Sequence, residues 1–249
     1  AISEGNGVVR VLTTLWHEDG STNELHLYDC EMNEKGSIKD LAKGEEIYAA
    51  RYIGDIAYFI TYHNTDPLFA VDISDPGNPK MLGNVKMTGY SDYLHPYGEN
   101  LLLGVGYETD PDTSEQLGVK LTMFDTSDPI NLKILDSVVI KDADTCATND
   151  YKTILADARK NLIGFSVENY REKYEDSTRE YLVYRWQKDH FEKVLVQDLG
   201  EDTTGEMLTK TRGVYAGTHF YCISRKAKSY QVKSYDMEDE FTKLDLIKL

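Results

Sequence analysis

The chain has 249 residues, of which 41% are hydrophobic, and its formal net charge is −16 at pH 7. This hydrophobic content favours a folded chain over a disordered one. The negative charge argues against nucleic acid or an anionic membrane as a partner, because phosphate groups would be repelled.

No apolar run approaches the ~20 residues that a membrane-spanning helix needs, so we expect no transmembrane segment in this chain. The three cysteines lie far apart with no C-x-x-C spacing, which predicts neither a disulfide framework nor a metal site. We expect no cofactor.

Strand-like segments recur along the chain and divide into repeated units of strands A, B, C and D. Val8–Leu12 is the buried strand B of the first unit, in which we find no strand A. Three later units have an A–B hairpin with glycine and a polar residue at its turn, as at Gly54-Asp55 and Gly98-Glu99, and the fourth unit has a longer turn at Asp157–Asn161. Strand B is apolar on both faces, which is typical of a strand between two packed sheets.

The most informative motif joins strands C and D. Asp72–Leu82 and Asp125–Leu135 both read D-x-S-D-P-x-N-x-K-x-L. The first aspartate can form an Asx-turn, and the proline presets φ for a second turn, so the motif stops one strand and starts the next.

A four-stranded antiparallel meander that repeats in this way is a propeller blade. We therefore predict an all-β fold, a β-propeller of about five four-stranded blades in one domain, residues 1–249. The blade units are approximately 7–41, 47–87, 91–140, 150–199 and 211–249. Because the first unit lacks a strand A, we expect the chain to be the C-terminal part of a larger ring; five imperfectly closing blades are the alternative.

The segment Arg51–Phe124 carries further motifs that are specific in sequence. They are G-D-x-A-Y-x-x-T at Gly54–Thr61, T-D-P-L-F-x-x-D-x-S-D-P at Thr65–Pro76, Y-L-H-P-Y at Tyr93–Tyr97 and V-K-L-x-x-F-D at Val119–Asp125. This segment resembles the secreted bacterial β-propeller proteins that are distantly related to WD-repeat propellers. The resemblance implies an extracellular or cell-surface bacterial protein, and it carries no catalytic residues to this chain.

The loops between strands B and C are longer and more irregular than the other connections. They are His17–Asn23, Tyr62–Pro67, Tyr107–Gly118, Glu168–Glu180 and Arg225–Ser229. Repeat proteins usually place recognition in loops that vary while the scaffold repeats. We therefore predict a binding surface where the B–C and D–A loops meet; the alternative is that long loops are merely tolerated.

The candidate binding residues are polar and aromatic side chains of these loops and their flanks. They are His63, Asn64, Asp66, Asp92, Tyr93, Tyr107, Glu108 and Tyr170. Local turn chemistry is the alternative explanation for the first three, since Asp66 precedes a proline. His95 is interpreted as a structural histidine.

Metal and catalytic signatures are weak. Asp110 and Asp112 begin like a calcium loop, but Glu115 and Leu121 stand where glycine and the bidentate acid are needed. No G-x-S-x-G, H-E-x-x-H or paired-carboxylate motif is present. The leading hypothesis is a non-enzymatic module that binds a protein or glycan, with a propeller hydrolase or lyase and a structural spacer as alternatives.

Overall fold

The regular secondary structure in the described part of the chain is almost entirely β-strand. The computed structural model describes residues 1–18, 20–62, 66–170, 177–200, 206–226 and 229–248, with all their side chains except those of Tyr62, Asp66 and Lys226. The described residues contain one short helix, α1 (Met207–Lys210). No helix in these ranges is long and apolar enough to cross a membrane.

The strands form five antiparallel sheets, which we call blades 1 to 5 in chain order. Blade 1 contains β1 (Ile2–Gly5), β2 (Val8–His17), β3 (Gly20–Tyr28) and β4 (Glu34–Leu41). Blade 2 contains β5 (Glu46–Ile53), β6 (Ile56–Tyr62), β7 (Asp66–Asp72) and β8 (Lys80–Met87). Blade 3 contains β9 (Tyr90–Pro96), β10 (Leu101–Thr109), β11 (Gln116–Asp125) and β12 (Lys133–Lys141).

In blade 4 the place of the first strand is divided between two short strands that pair with opposite ends of the next one. Blade 4 contains β13 (Ala143–Asp144), β14 (Leu155–Asp157), β15 (Leu162–Asn169), β16 (Thr178–Gln187) and β17 (His190–Asp198). Blade 5 contains β18 (Arg212–Ala216), β19 (His219–Lys226), β20 (Ser229–Asp236) and β21 (Thr242–Lys248). The predicted all-β propeller of four-stranded antiparallel blades is confirmed by this topology.

Blade 1 has a first strand, so the expectation that it lacks strand A is wrong. β1 pairs with β2 from Ile2 opposite Val11 to Gly5 opposite Val8. The connecting residues Asn6 and Gly7 have φ values of 56° and 73°, as a type I′ hairpin turn requires. Asn-Gly is a strong hairpin signal. The strand before this turn was not recognised in the sequence because it has only one large apolar residue.

The chain divides into two compact units. The first consists of Ala1–Gln116 and Thr122–Ile134, and the second consists of Leu117–Leu121 and Leu135–Leu249. Among the described residues, apolar clusters pack between the blades of the first unit. One includes Leu12, Leu27 and Phe59 from blades 1 and 2, and another includes Ile60, Leu94 and Phe124 from blades 2 and 3. The second unit has its own cluster, in which blades 4 and 5 contribute Leu162, Tyr181, Val183, Phe220 and Tyr235.

The two copies of the repeated motif form the same turn. The Asp72 carboxylate accepts a hydrogen bond from the Ser74 amide at 2.9 Å, and Asp125 accepts one from Ser127 at 2.9 Å. Hydrogen bonds from the side chains of Ser74 and Ser127, together with these amide bonds, hold the pKa of both aspartates below the usual value. The predicted Asx-turns are therefore confirmed.

Each of these turns also packs on the outer strand of the preceding blade, at a glycine. A Cβ atom on Gly36 in β4 would lie 2.5 Å from the Pro76 carbonyl oxygen, and one on Gly83 in β8 would lie 2.2 Å from the Ile130 carbonyl oxygen. Asp136, which matches Gly83 in the repeat, accepts a hydrogen bond from the Phe191 amide at 2.8 Å. The motif thus fixes how closely successive blades approach.

We expect Gly83→Ala to lower the free energy of unfolding by about 2–3 kcal/mol, because the new methyl group forces the Ile130 backbone outward. Urea unfolding measures the loss. Gly77→Ala is the matched control, since its Cβ would lie an ordinary 3.4 Å from the nearest atom. Equal unfolding midpoints for the two variants would contradict the packing argument.

Candidate functional site

The connections of each blade fall into two sets at opposite ends of the sheet, because consecutive antiparallel strands alternate in direction. We call these the A–B/C–D end and the B–C/D–A end. The predicted binding residues belong mainly to the B–C/D–A end. Of these, His63 and Asn64 and the side chain of Asp66 lie outside the described residues.

Three tyrosines form an aromatic ladder at the B–C/D–A end of blades 2 and 3. The ring centroids of Tyr48 and Tyr90 are 5.1 Å apart, and those of Tyr90 and Tyr107 are 5.7 Å apart. Tyr107 is only 7% exposed, whereas Tyr48 is 41% exposed. The predicted residue Tyr107 therefore supports the ladder from inside beside the half-buried Glu108. Tyr48, which sequence reasoning missed, presents the ladder to solvent.

A β-bulge recurs at the same point in the first strands of blades 2 and 3. In blade 2 the pairing skips from Ile47 to Ala49, which leaves Tyr48 as the extra residue. In blade 3 the pairing skips from Ser91 to Tyr93, which leaves Asp92 as the extra residue. Bulges re-aim side chains and are frequent next to functional sites.

Asp92 has the most perturbed carboxyl group at this end. It is half-buried, and desolvation raises its pKa to about 6, with no hydrogen bond or opposite charge contributing. A carboxyl group with this pKa holds and releases a proton near neutral pH. Asp92 was predicted from its loop position; the sequence does not reveal its burial, which depends on the bulge.

The candidate Tyr93 lies in a cation–π and hydrogen-bond network between the first strands of blades 2 and 3. Its hydroxyl oxygen is 2.9 Å from Nδ1 of His95, and the Arg51 guanidinium lies 5.6 Å from its ring centroid. Arg51 also donates to the Leu94 carbonyl oxygen, at 2.8 Å from Nε and 2.5 Å from Nη2. These partners hold Tyr93 in place and support the structural interpretation of His95.

Tyr170, in the second unit, is tied to the connection that precedes blade 4. Its amide donates to the Asp142 carbonyl oxygen at 2.6 Å, and its hydroxyl donates to the Asp144 carboxylate at 3.3 Å. Nearby, Arg179 pairs with Glu168 at 2.5 Å. Tyr170 is half-buried.

The weak metal candidates Asp110 and Asp112 belong to a tight turn. The Asp110 carboxylate accepts hydrogen bonds from the Asp112 and Thr113 amides, each at 2.9 Å, and these hold its pKa below the usual value. Its oxygen atoms thus stabilise the turn itself. Within the described residues, no group of three or more histidine, cysteine, aspartate or glutamate side chains could hold a metal ion.

A cavity of about 280 Å³ opens at the other end, the A–B/C–D end, between blades 2 and 3. Its lining comes from the turns of blade 3 and the hairpin of blade 2, and it includes Ile53, Ile56, Tyr58, Pro96, Asn100 and Ser127. Sequence reasoning did not expect a cavity at this end, because short and formulaic turns gave no sign of variable recognition.

Three kinds of comparison bear on this geometry. A family model of the beta propeller domain matches residues 1–239. An uncharacterized protein of Methanocaldococcus jannaschii is 39% identical over 173 residues, which cover 68% of this chain and 27% of that protein. An uncharacterized protein of Archaeoglobus fulgidus is 34% identical over 162 residues, covering 65% of this chain and 25% of that protein. The matched region thus spans about a quarter of each of these archaeal relatives.

Among solved structures, a eukaryotic initiation factor aligns with all of this chain and 54% of its own, with a TM-score of 0.55 and 7% identity. The β-propeller domain of the Trilobed protease from Pyrococcus furiosus aligns with all of this chain and 70% of its own, with a TM-score of 0.48 and 12% identity. The first likeness concerns the fold alone, because the identity is so low.

The raised pKa of Asp92 predicts a pH-dependent stability. Because the folded state favours the protonated carboxyl, the stability that Asp92 contributes is full below its usual pKa of 3.8 and is lost as the pH rises through about 6. At pH 7.5 the free energy of unfolding of Asp92→Asn, measured with urea, should therefore exceed that of the native chain by about 1–3 kcal/mol. At pH 4 the two free energies should not differ.

Asp125→Asn is the control, and its effect on the free energy of unfolding should have the opposite sign. The pKa of Asp125 is lowered by its bonds to Ser127, so this variant should lose stability at pH 7.5. A native chain and an Asp92→Asn variant with parallel stability profiles between pH 4 and 7.5 would overturn the assignment.

Proposed function

This chain belongs to the beta propeller domain family, and we propose that it is a non-enzymatic binding module that recognises a protein or glycan through its B–C/D–A end. The observation that carries this proposal is the ladder of Tyr48, Tyr90 and Tyr107. Aromatic rings stack on sugar faces and on apolar side chains, and tyrosine is enriched in the energetic centres of interfaces.

The ladder has the features of a binding platform. The Tyr90 ring contacts the Tyr48 ring and is itself supported by Tyr107. Because these contacts restrict Tyr48, little side-chain entropy is lost when a ligand stacks on its exposed face. The bulge turns Tyr48 out of the regular pleat. The exposed Glu46 lies two residues away and can accept hydrogen bonds from hydroxyl or amide groups.

We place the module outside the cell or on its surface. This location is the one that the resemblance to secreted bacterial propellers implies. The strongly negative net charge agrees with a partner that is not a polyanion.

A glycan array and a displayed peptide library, both probed with the purified chain, test the proposal. Any ligand found should lose about tenfold or more in affinity on Tyr48→Ala, because the stacking platform is removed. Met81→Ala is the matched control, since Met81 is 39% exposed, close to the 41% of Tyr48, but lies near the other end of blade 2. Equal losses for the two variants would contradict a site at the ladder.

An enzyme remains the second candidate function, favoured by Asp92. A half-buried carboxyl group on a bulge, with a pKa of about 6, suits a general acid or base in a hydrolase or lyase. A structural spacer is the third, and the exposed Tyr48 and the polar groups of the cavity speak against it.

Chromogenic glycosides and uronic-acid polymers screen for such an activity. If Asp92 is catalytic, the rate should change with a midpoint near pH 6 and fall at least about a hundredfold on Asp92→Asn. The conservative variant Tyr93→Phe should retain most of the rate. Unchanged turnover in Asp92→Asn would exclude Asp92 as the catalytic group.

A further inference from the structure

The cavity between blades 2 and 3 has mixed walls. Ile53, Ile56 and Pro129 supply apolar surface, while Asn100 and Ser127 supply polar atoms. Tyr58, which also lines it, is only 3% exposed, and burial raises the pKa of its phenol, an effect that Thr126 partly offsets. A cavity of about 280 Å³ is close to the lower limit for small-ligand sites, and is therefore suited to one side chain.

The repeat allows this cavity to be compared with the equivalent place between blades 1 and 2. Gly5 pairs with Val8 around the first A–B turn, as Ile53 pairs with Ile56 around the second. Arg10 lies two residues after Val8, and Tyr58 lies two residues after Ile56, so Arg10 is the equivalent of Tyr58. The same alignment makes Tyr52 the equivalent of Pro96, since each stands two residues before the glycine of its turn.

Between blades 1 and 2 the two equivalent residues meet each other. The Arg10 guanidinium lies 5.6 Å from the centroid of the Tyr52 ring and donates to the Gly5 carbonyl oxygen at 3.4 Å. Arg10 is only 7% exposed. The fold thus encloses a guanidinium group at this position.

Between blades 2 and 3 the guanidinium group and one of the two large groups are absent. Tyr58, a side chain about as large as arginine, stands where Arg10 stands, and Pro96 is much smaller than a tyrosine. Ile53 stands where Gly5 stands in blade 1, so the remaining space has a more apolar wall. The cavity therefore lies where the preceding repeat places the Tyr52 ring against the Arg10 guanidinium.

Acidic residues adjoin the cavity lining along the chain. Asp125 and Asp128 flank the lining residues Thr126 and Ser127, and Glu99 lies between the lining residues Gly98 and Asn100. Backbone and side-chain hydrogen bonds hold the pKa of Asp125 and of Asp128 below the usual value, so both are ionised at neutral pH. Lys133 offsets only part of this charge.

We propose that this cavity binds the arginine side chain of a basic peptide segment on another protein. The aliphatic stem would pack on Ile53, Ile56 and Pro129, and the guanidinium would reach the acidic rim and the side-chain oxygens of Asn100 and Ser127. A guanidinium is planar and weakly hydrated, which suits a half-apolar cavity better than a lysine ammonium. The site lies at the A–B/C–D end and does not depend on the ligand proposed for the tyrosine ladder.

The probe is the tripeptide acetyl-Ala-Arg-Ala-amide, titrated into the ¹⁵N-labelled chain and followed by backbone amide shifts. We expect a dissociation constant on the order of 1 mM, with the largest shifts at Asn100 and Ser127. The same peptide with citrulline, which is neutral and nearly isosteric, should bind at least about tenfold more weakly, because it lacks the charge. Free L-arginine should also bind more weakly, since its carboxylate faces the acidic rim.

One variant fills the cavity in the way that the preceding repeat does. Pro96→Tyr, at an exposed position, places the equivalent of Tyr52 in the cavity and should abolish the shifts while circular dichroism and the melting temperature confirm the fold. Asp128→Asn should weaken binding about threefold. Asp75→Asn, the same change in the matching turn of blade 2, should leave binding unchanged because Arg10 and Tyr52 fill the neighbouring space.

Three results would overturn the proposal. One is equal affinity for the arginine and citrulline peptides, and another is a set of shifts that persists in a folded Pro96→Tyr variant. The third is tighter binding of free L-arginine than of the tripeptide, which would point to a small metabolite instead of a protein partner. None of these results bears on Tyr48, so the proposed function would stand or fall separately.

Discussion

The contact between each C–D turn and the outer strand of the preceding blade is the constraint on which the first unit depends. A carbonyl oxygen of the turn would lie 2.5 Å from a Cβ atom on Gly36 in one repeat and 2.2 Å from a Cβ atom on Gly83 in the next, which is too close for any side chain. This contact brings the apolar faces of neighbouring sheets into van der Waals range, so that Leu12, Phe59 and Phe124 are excluded from water. The repeated D-x-S-D-P motif is therefore a spacing device, and its aspartates stabilise the turn that makes the contact.

A fixed separation between blades makes the side chains at the interfaces decisive. Where Arg10 and Tyr52 meet, the space is filled; where Tyr58 and Pro96 stand, a cavity remains. Identical backbone repeats can thus carry different sites, because a change of two side chains alters the volume without altering the scaffold. The bulges are another example of equivalent positions with different side chains, because the bulged residue is Tyr48 in blade 2 and Asp92 in blade 3. An exposed aromatic and a half-buried acid occupy equivalent places.

The two ends of the blades consequently differ in chemistry. The B–C/D–A end offers aromatic surface and a carboxyl group whose pKa is raised by desolvation. The A–B/C–D end offers carboxylates whose pKa values are lowered by turn hydrogen bonds, around a small cavity. The first suits stacking with a neutral or apolar ligand, and the second suits a cation. If both proposed sites bind ligands, the two ends could hold two different partners at once.

The sequence by itself determined the fold class, the blade pattern and the chemistry of the turns, because these follow from local periodicity and from residues close together in the chain. It missed β1, since the short strand Ile2–Gly5 has too little apolar periodicity to stand out from a loop. It indicated Asp92 and Tyr107 by loop position but could not assign their roles. Only the tertiary structure decided that Tyr107 is buried beneath Tyr90, that a bulge leads to Tyr48, and that a cavity opens beside Tyr58. Burial, pairing register and cavities arise between residues that are distant in sequence, and a single sequence records no such distances.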